Sequence, residues 1–142
     1  MKIVALCTLS TGLWSIEYAI KRGVSIDKII GLNPKNLKNK KIIAGYIDIK
    51  KFCKKYKIDY KNVNKYSLKK SNPNKLFRTA DIIWVAGWQR LVPENFITFP
   101  KICSIGAHGS LDGIRLGRGR SPQNWALLMG AKNFKISVSK IS

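Results

Sequence analysis

One histidine, three cysteines and seven carboxylates are all that 142 residues offer for metal binding or acid–base chemistry. A site built from two or more histidines is therefore excluded. The cysteines, Cys7, Cys53 and Cys103, are too widely spaced for a CxxC pair or a Cys/His cluster, so no metal is expected and they read as buried thiols of a reducing compartment. No apolar run reaches the ~20 residues of a membrane span. Met1-Lys2 leads straight into a strand-like run with no cleavage pattern after it, and the expected location is the cytoplasm. The first loop, Thr8 to Gly12, has one glycine where a dinucleotide fingerprint needs three, and the GxSxG elbow of a serine hydrolase is missing.

What the chain has in excess is positive charge: 27 basic residues against seven acidic ones give +20. Two readings are open. A Lys-, Ile- and Asn-rich usage leaves solvated lysines on every exposed face, or a dedicated surface meets a polyanion. With 45% hydrophobic and 24% charged residues, the composition is that of a folded chain, long enough for one core and one domain over 1–142.

Taken in order, Lys2 to Leu9 is a β-branched, apolar run of the kind buried on both faces of a parallel sheet. Leu13, Ile16 and Ile20 then follow at helical spacing, with Gly23 placed to stop the helix. Lys28 to Leu32 reads as a second strand. Asp48 precedes a second amphipathic helix carrying Ile49, Phe52, Cys53 and Tyr56. Tyr60 to Tyr66 suits a polar edge strand, and Ser71-Asn72-Pro73-Asn74 a turn into a short helix that carries Leu76 and Phe77 inward. Asp81 to Ala86, DIIWVA, is the clearest buried strand, followed by the loop Gly87 to Val92 and a small helix at Pro93-Glu94. Lys101 to Gly106 is a strand that delivers His108 into a loop. Ser121-Pro122 starts a helix with Trp125, Leu128 and Met129 on one face, and Phe134 to Val138 begins a last strand. Strands alternating with helices give an α/β fold, a Rossmann-like doubly wound and mostly parallel sheet, whose ligands bind outside the carboxyl ends of the strands.

That rule places the loops after DIIWVA and CSIGA, and the Ser10 loop, around one crevice. His108, between Gly106 and Gly109, is suited to proton transfer or to hydrogen-bonding an oxyanion. A Ser110 nucleophile activated by His108 is conceivable, although residues two apart at a strand end do not readily face each other. Arg118, Gly119 and Arg120 leading into Ser121-Pro122 read either as solvated turn residues or as an anion site. Trp88 and Leu91 read either as core or as walls around a flat heterocycle held by backbone groups of Arg90 to Val92.

Taken together, DIIWVAGWQRLVP, IGAHGS, GRGRSP and QNWALLMG resemble the N-terminal catalytic domain of the formyltransferases that use 10-formyltetrahydrofolate. The HGS and RSPxNWAL wording is closer to the enzymes that formylate amino sugars on nucleotides than to methionyl-tRNA formyltransferase. The resemblance implies formyl transfer from 10-formyltetrahydrofolate to a primary amine, with a nucleotide-linked amino sugar as the acceptor. His108 would stabilise the oxyanion and pass a proton, with Ser110 in support. Gln89, Arg90, Leu91 and Val92 would hold the pterin ring. Ser10, Thr11 and Gly12, with Arg118, Gly119 and Arg120, would border the acceptor.

Three departures accompany it. Gly106 stands where the family usually has an asparagine, Leu111-Asp112-Gly113 stands where Leu-Leu-Pro is common, and the family's catalytic aspartate would fall beyond Ser142. The domain is thus expected to be C-terminally incomplete. The alternatives are methionyl-tRNA formylation, which the charge would suit, and a truncated ligand-binding domain without turnover. No membrane partner is expected, and the sequence leaves the oligomeric state open.

Overall fold

A computed structural model describes residues 1–36, 43–115, 119 and 121–141. Six strands form one sheet in the order β3-β2-β1-β4-β5-β6. They are β1 (Ile3–Leu6), β2 (Lys28–Leu32), β3 (Asp59–Val63), β4 (Ile82–Val85), β5 (Cys103–Ser110) and β6 (Lys135–Ile141). All pairings are parallel except β5 with β6. The alternating, doubly wound α/β architecture read from the sequence is the one observed.

Helix α1 (Ser10–Lys21) buries Leu13 and Ile16 against one sheet face, with Ile3, Ala5, Cys7 and Ile29, while α2 (Lys50–Tyr56) adds Cys53 to the same cluster. Each fully buried side chain of this size contributes roughly 1.5–3 kcal/mol by leaving water. The other face packs Val4, Leu6, Ile30 and Ile83 against Leu68, Leu76, Phe77 and Phe96 from α3 (Pro73–Phe77), α4 (Glu94–Ile97) and the segment before α3. Phe77 and Phe96 meet edge to face at 5.6 Å.

Helix ends follow the sequence signals. After α1, Val24 N–H reaches Ala19 O and Gly23 N–H reaches Ile20 O, with Gly23 at φ +88°, the left-handed stop glycine favours. The same pattern ends α2, but there Lys57 takes the left-handed position at φ 54°. Asp48 Oδ1 accepts from Lys50 N–H at 3.0 Å and Asn72 Oδ1 from Asn74 N–H at 2.9 Å, so both predicted starts are capped.

Four boundaries differ from expectation. The first strand ends at Leu6 rather than Leu9, because Thr8 turns its N–H and hydroxyl onto Gly87 O. Helix α1 begins at Ser10, so Ser10, Thr11 and Gly12 form its first turn instead of a loop. Tyr66 lies beyond the end of β3. The fourth is β5, which continues to Ser110, so His108 lies inside a strand and not in the loop after one. Antiparallel pairing with β6 (His108 opposite Ser137, Ser110 opposite Lys135) supplies the backbone partners that extend it.

Helix α5 (Pro122–Leu128) starts at Ser121-Pro122, but Ser121 is left-handed (φ 54°) and its hydroxyl makes no cap bond. Only Ala126 of this helix is buried. Trp125, Leu128 (78% exposed) and Met129 do share a face, and that face lies open to solvent, as do Ile136 and Val138 (73% exposed) on β6. No helix among the described residues is long and apolar enough to cross a membrane.

Candidate functional site

The sheet order reverses between β1 and β4: from β1 the chain passes to β2 on one side and β4 lies on the other. This switch point is where a doubly wound sheet opens a crevice beyond its carboxyl ends. Gly12 and Gly87 close its floor. A Cβ on Gly12 would lie 2.0 Å from Ala86 O and 2.9 Å from Cys7 Sγ, and one on Gly87 would lie 3.2 Å from Gly12 Cα. The absence of side chains lets the first turn of α1 touch the end of β4.

Thr8 and Tyr66, which the sequence reading did not single out, fix the loop after β4. Thr8 is fully buried, and its hydroxyl donates to Gly87 O at 3.0 Å and lies 3.2 Å from Tyr66 OH. Tyr66 OH in turn accepts from Gln89 N–H at 2.8 Å. The Tyr66 ring packs edge-on to Trp88 at 5.0 Å, and the Arg90 guanidinium sits 5.8 Å from its centroid. The available signal was a polar Thr8 closing an otherwise apolar strand. Its partner, 58 residues away, carries none.

Of the four residues expected to hold a heterocycle, Gln89 thus has its N–H committed to Tyr66, whereas the peptide groups of Arg90, Leu91 and Val92 have no partner among the described residues. Leu91 is 96% exposed and Val92 half-buried against the core. Trp88 is core, yet its buried Nε1 also has no hydrogen-bond partner among the described residues. Unpaired backbone donors and acceptors beside an apolar wall are what backbone recognition of a flat, polar-edged ring requires.

Strand β5 pairs with β4 only as far as Gly106, opposite Val85, and its last four residues project past the end of β4 alongside β6 alone. His108 is on that projection, half-buried. Strand alternation puts it on the same face as Ser104, whose hydroxyl donates to Ile97 O of α4 at 2.7 Å. His108 is therefore on the side of the sheet that carries the Trp88 loop and α4. The directly opposed residue, Ser137 on β6, shares its face, and Ser139 is opposite Gly106. These two serines were not read from the sequence as site residues.

Ser110 is buried and on the same face, but its Oγ has no hydrogen-bond partner among the described residues, so the conceivable Ser110–His108 pair is not formed. Gly106 is buried too, and a Cβ there would come 2.7 Å from Ile141 Cδ1.

Ser10 donates its N–H to Gly45 O at 2.9 Å, and Ile47 N–H returns to Thr8 O at 3.0 Å, so residues 45–47 lie along the segment that follows β1. Thr11 is exposed, while Gly12 is buried in the contact already described. Gly119 is exposed at φ +138°. Arg118 and Arg120 lie outside the described residues, and with them the anion-site reading. No group of three or more metal-ligating side chains occurs among the described residues. A groove of about 420 Å³ between α1 and residues 47–52, lined by Leu13, Trp14, Glu17, Ile47 and Phe52 among others, includes none of the site residues expected from the sequence.

Two thiols are set by burial. Cys7 and Cys53 are both pushed up to about 12, chiefly by desolvation, and are inert as nucleophiles near neutrality.

No protein-family model matches the chain. Over its full length it is 27% identical to the bifunctional polymyxin resistance protein ArnA of Wigglesworthia glossinidia brevipalpis, of which the match covers 21%. Half of it is 34% identical, over 71 residues, to 20% of the methionyl-tRNA formyltransferase of Caldanaerobacter subterraneus subsp. tengcongensis. The chain thus spans about a fifth of these curated relatives. Among solved structures it superposes with a TM-score of 0.74 on phosphoribosylglycinamide formyltransferase from Anaplasma phagocytophilum, at 20% identity, covering 99% of this chain and 64% of that one. On a formyltetrahydrofolate deformylase from Pseudomonas putida the TM-score is 0.71 at 16% identity, with 99% of this chain and 48% of that one covered. The six-stranded, mostly parallel sheet described above is therefore the Rossmann-like fold of the formyltransferases.

Proposed function

We propose that the chain carries the formyl-donor half of a transferase site, moving a formyl group from 10-formyltetrahydrofolate to a primary amine. The observation that supports it best is the convergence of His108, on the projecting end of β5, with the unpaired peptide groups of Arg90–Val92 on one face of the sheet. The folate supplies an activated formyl carbon. The Arg90–Val92 backbone would hold its ring edge, Val92 and Trp88 would wall the ring, and Tyr66 would keep the loop in shape through Gln89.

His108 would donate a hydrogen bond to the oxygen that gains charge when the amine attacks, and would carry away the amine proton. The family's asparagine is Gly106 here, so the neighbouring hydroxyls of Ser137 and Ser139 are the nearest substitutes in register. Ser110 would support the site with its unpartnered hydroxyl. Ser10 and Thr11, with Gly12 beneath them, would border the acceptor, as would Arg118, Gly119 and Arg120 by the resemblance. A nucleotide-linked amino sugar is the acceptor favoured by the HGS and RSPxNWAL wording.

The local similarity to a methionyl-tRNA formyltransferase supports a second acceptor, the amine of an aminoacylated tRNA. The test is a formyl-transfer assay read by mass spectrometry, with 10-formyltetrahydrofolate as donor and a panel of amino-sugar nucleotides and methionyl-tRNA as parallel acceptors. A formylated sugar is expected. Formylation of the tRNA alone would replace the first acceptor with the second, and absence of both products together with absence of reduced-folate binding would overturn the reading.

A further inference from the structure

The positive charge is not spread evenly. Between residues 50 and 78 the sequence has eleven of its 27 basic residues and one of its seven acidic ones, so half of the +20 sits on 29 residues. The stretches on either side, 1–49 and 79–142, hold +5 each. A usage bias toward lysine would load all three alike, in proportion to length.

The fold sets this segment around the β3 edge of the sheet, with α2 packed on one face and α3 on the other. Residues 50–78 make α2, the edge strand β3, the connection that follows it and α3, and all eleven basic side chains are exposed. Among the described residues only Lys55 of the eleven is within ion-pair distance of a carboxylate, that of Glu17 at 3.0 Å. Lys61 reaches across to Lys75 O at 3.3 Å, tying β3 to α3. Between the cations lie Asn64, Ser67, Asn72 and Asn74, which are exposed hydrogen-bonding side chains, and one exposed large apolar residue, Tyr60 at 38%.

We propose that this basic edge, formed by α2, β3 and the chain to α3, binds the phosphate backbone of a nucleic acid. Uncompensated lysines displace the counterions condensed on a polyphosphate, and Asn and Ser side chains add sequence-independent bonds to phosphate and sugar. A membrane surface is disfavoured as the partner, because an interfacial element sets large apolar side chains among its cations. Here α2 turns Cys53 into the core with Phe52 packed against it, and the strongly exposed apolar side chains, among them Trp14 and Tyr18 on α1, Leu91 and those of α5 and β6, lie outside residues 50–78. Strand β3 is four strands from β5, about 19 Å by the usual strand spacing, and the connection after it meets the proposed site through Tyr66, which is not among the cations.

The test uses the whole chain and a fluorescein-labelled 20-base-pair RNA duplex, with fluorescence anisotropy followed across salt concentration. A Lys54→Glu, Lys65→Glu, Lys70→Glu variant is compared with a control of equal charge change, Lys101→Glu, Lys132→Glu, Lys140→Glu, both checked for native circular dichroism. The edge variant is expected to bind at least tenfold more weakly and to lower the slope of log K against log salt by roughly two to three, since each phosphate contact contributes about 0.9. The control is expected to stay within about threefold of the parent at matched salt. Equal weakening by both variants would reduce the binding to net charge and overturn the proposal. So would absence of duplex binding, including the case where phosphatidylserine vesicles are bound through the same lysines instead. Folate binding and formyl transfer play no part in the readout, so the two readings fail independently.

Discussion

Gly12 is where the first helix, the first strand and the fourth strand meet, and replacing it with alanine tests that junction. The added methyl would lie 2.0 Å from Ala86 O, 2.8 Å from Ala86 C and 2.9 Å from Cys7 Sγ. Two of these are backbone atoms of β4's end, so no rotamer change relieves the contact. Overpacking of a core by one methyl group costs about 1–3 kcal/mol when side chains can move. With rigid partners the expected loss is at least ~3 kcal/mol, a large share of the roughly 5–15 kcal/mol that holds a domain together. For a chain of this length that is a fall in Tm of about 10 °C or more. Gly23→Ala is the control: it imposes left-handed strain at φ +88° but meets nothing within 4 Å, so it should lose only about 1–2 kcal/mol. Urea unfolding followed by circular dichroism measures both. Equal losses, or a Gly12→Ala loss below about 1 kcal/mol, would refute the close approach of α1 to β4.

Further expectations concern the loop, Gly106, a left-handed lysine and one ionic contact. Tyr66→Phe removes the acceptor for Gln89 N–H and should lower stability by about 1 kcal/mol while weakening reduced-folate affinity several-fold; unchanged affinity in a titration would separate Tyr66 from the site. Gly106→Asn combined with Ile141→Ala, which clears the 2.7 Å approach, should raise the formyl-transfer rate if an oxyanion donor is what the chain lacks; a rate no higher than that of Ile141→Ala alone would show that it is not. Lys57→Gly relieves a left-handed lysine and should stabilise by about 1 kcal/mol in the same urea assay. Glu17 is held below the usual carboxylate range first by the Tyr56 hydroxyl and then by Lys55. The stability it provides is present above the ordinary Glu value and is lost as pH falls through that value toward the depressed one. Glu17→Gln should therefore flatten the stability profile between about pH 5 and 3 and leave its slope near neutrality unchanged.

The strands that the sequence showed best are those with apolar side chains on both faces: Ile82 to Val85 in DIIWVA, and Ile29 and Ile30 in the Lys28–Leu32 run. Local signals also served at Gly23, Asp48 and Asn72, where one residue satisfies backbone groups a few positions away. They misled at His108. Glycines on both sides of it look like a loop, and only the distant β6 strand makes that stretch extended. Ser10-Thr11-Gly12 misled in the same way, since Gly12 is there for a tertiary contact and not for a turn. Tyr66 was illegible because its role is a hydrogen bond to a loop 23 residues on, with no periodicity to announce it. In α5 the apolar spacing was real, but spacing reports a face and not what covers it, and Trp125, Leu128 and Met129 are open to water.

The central claim is that a folate-binding loop and His108 work as one donor site. It is tested most directly by measuring reduced-folate binding and formyl transfer side by side for the parent chain and His108→Ala. The variant is expected to keep its folate affinity within about threefold, because in the proposed site backbone groups of Arg90–Val92 hold the ring, while transfer falls by ~10² or more. A variant that transfers formyl as fast as the parent, or a parent that binds no reduced folate, would contradict it.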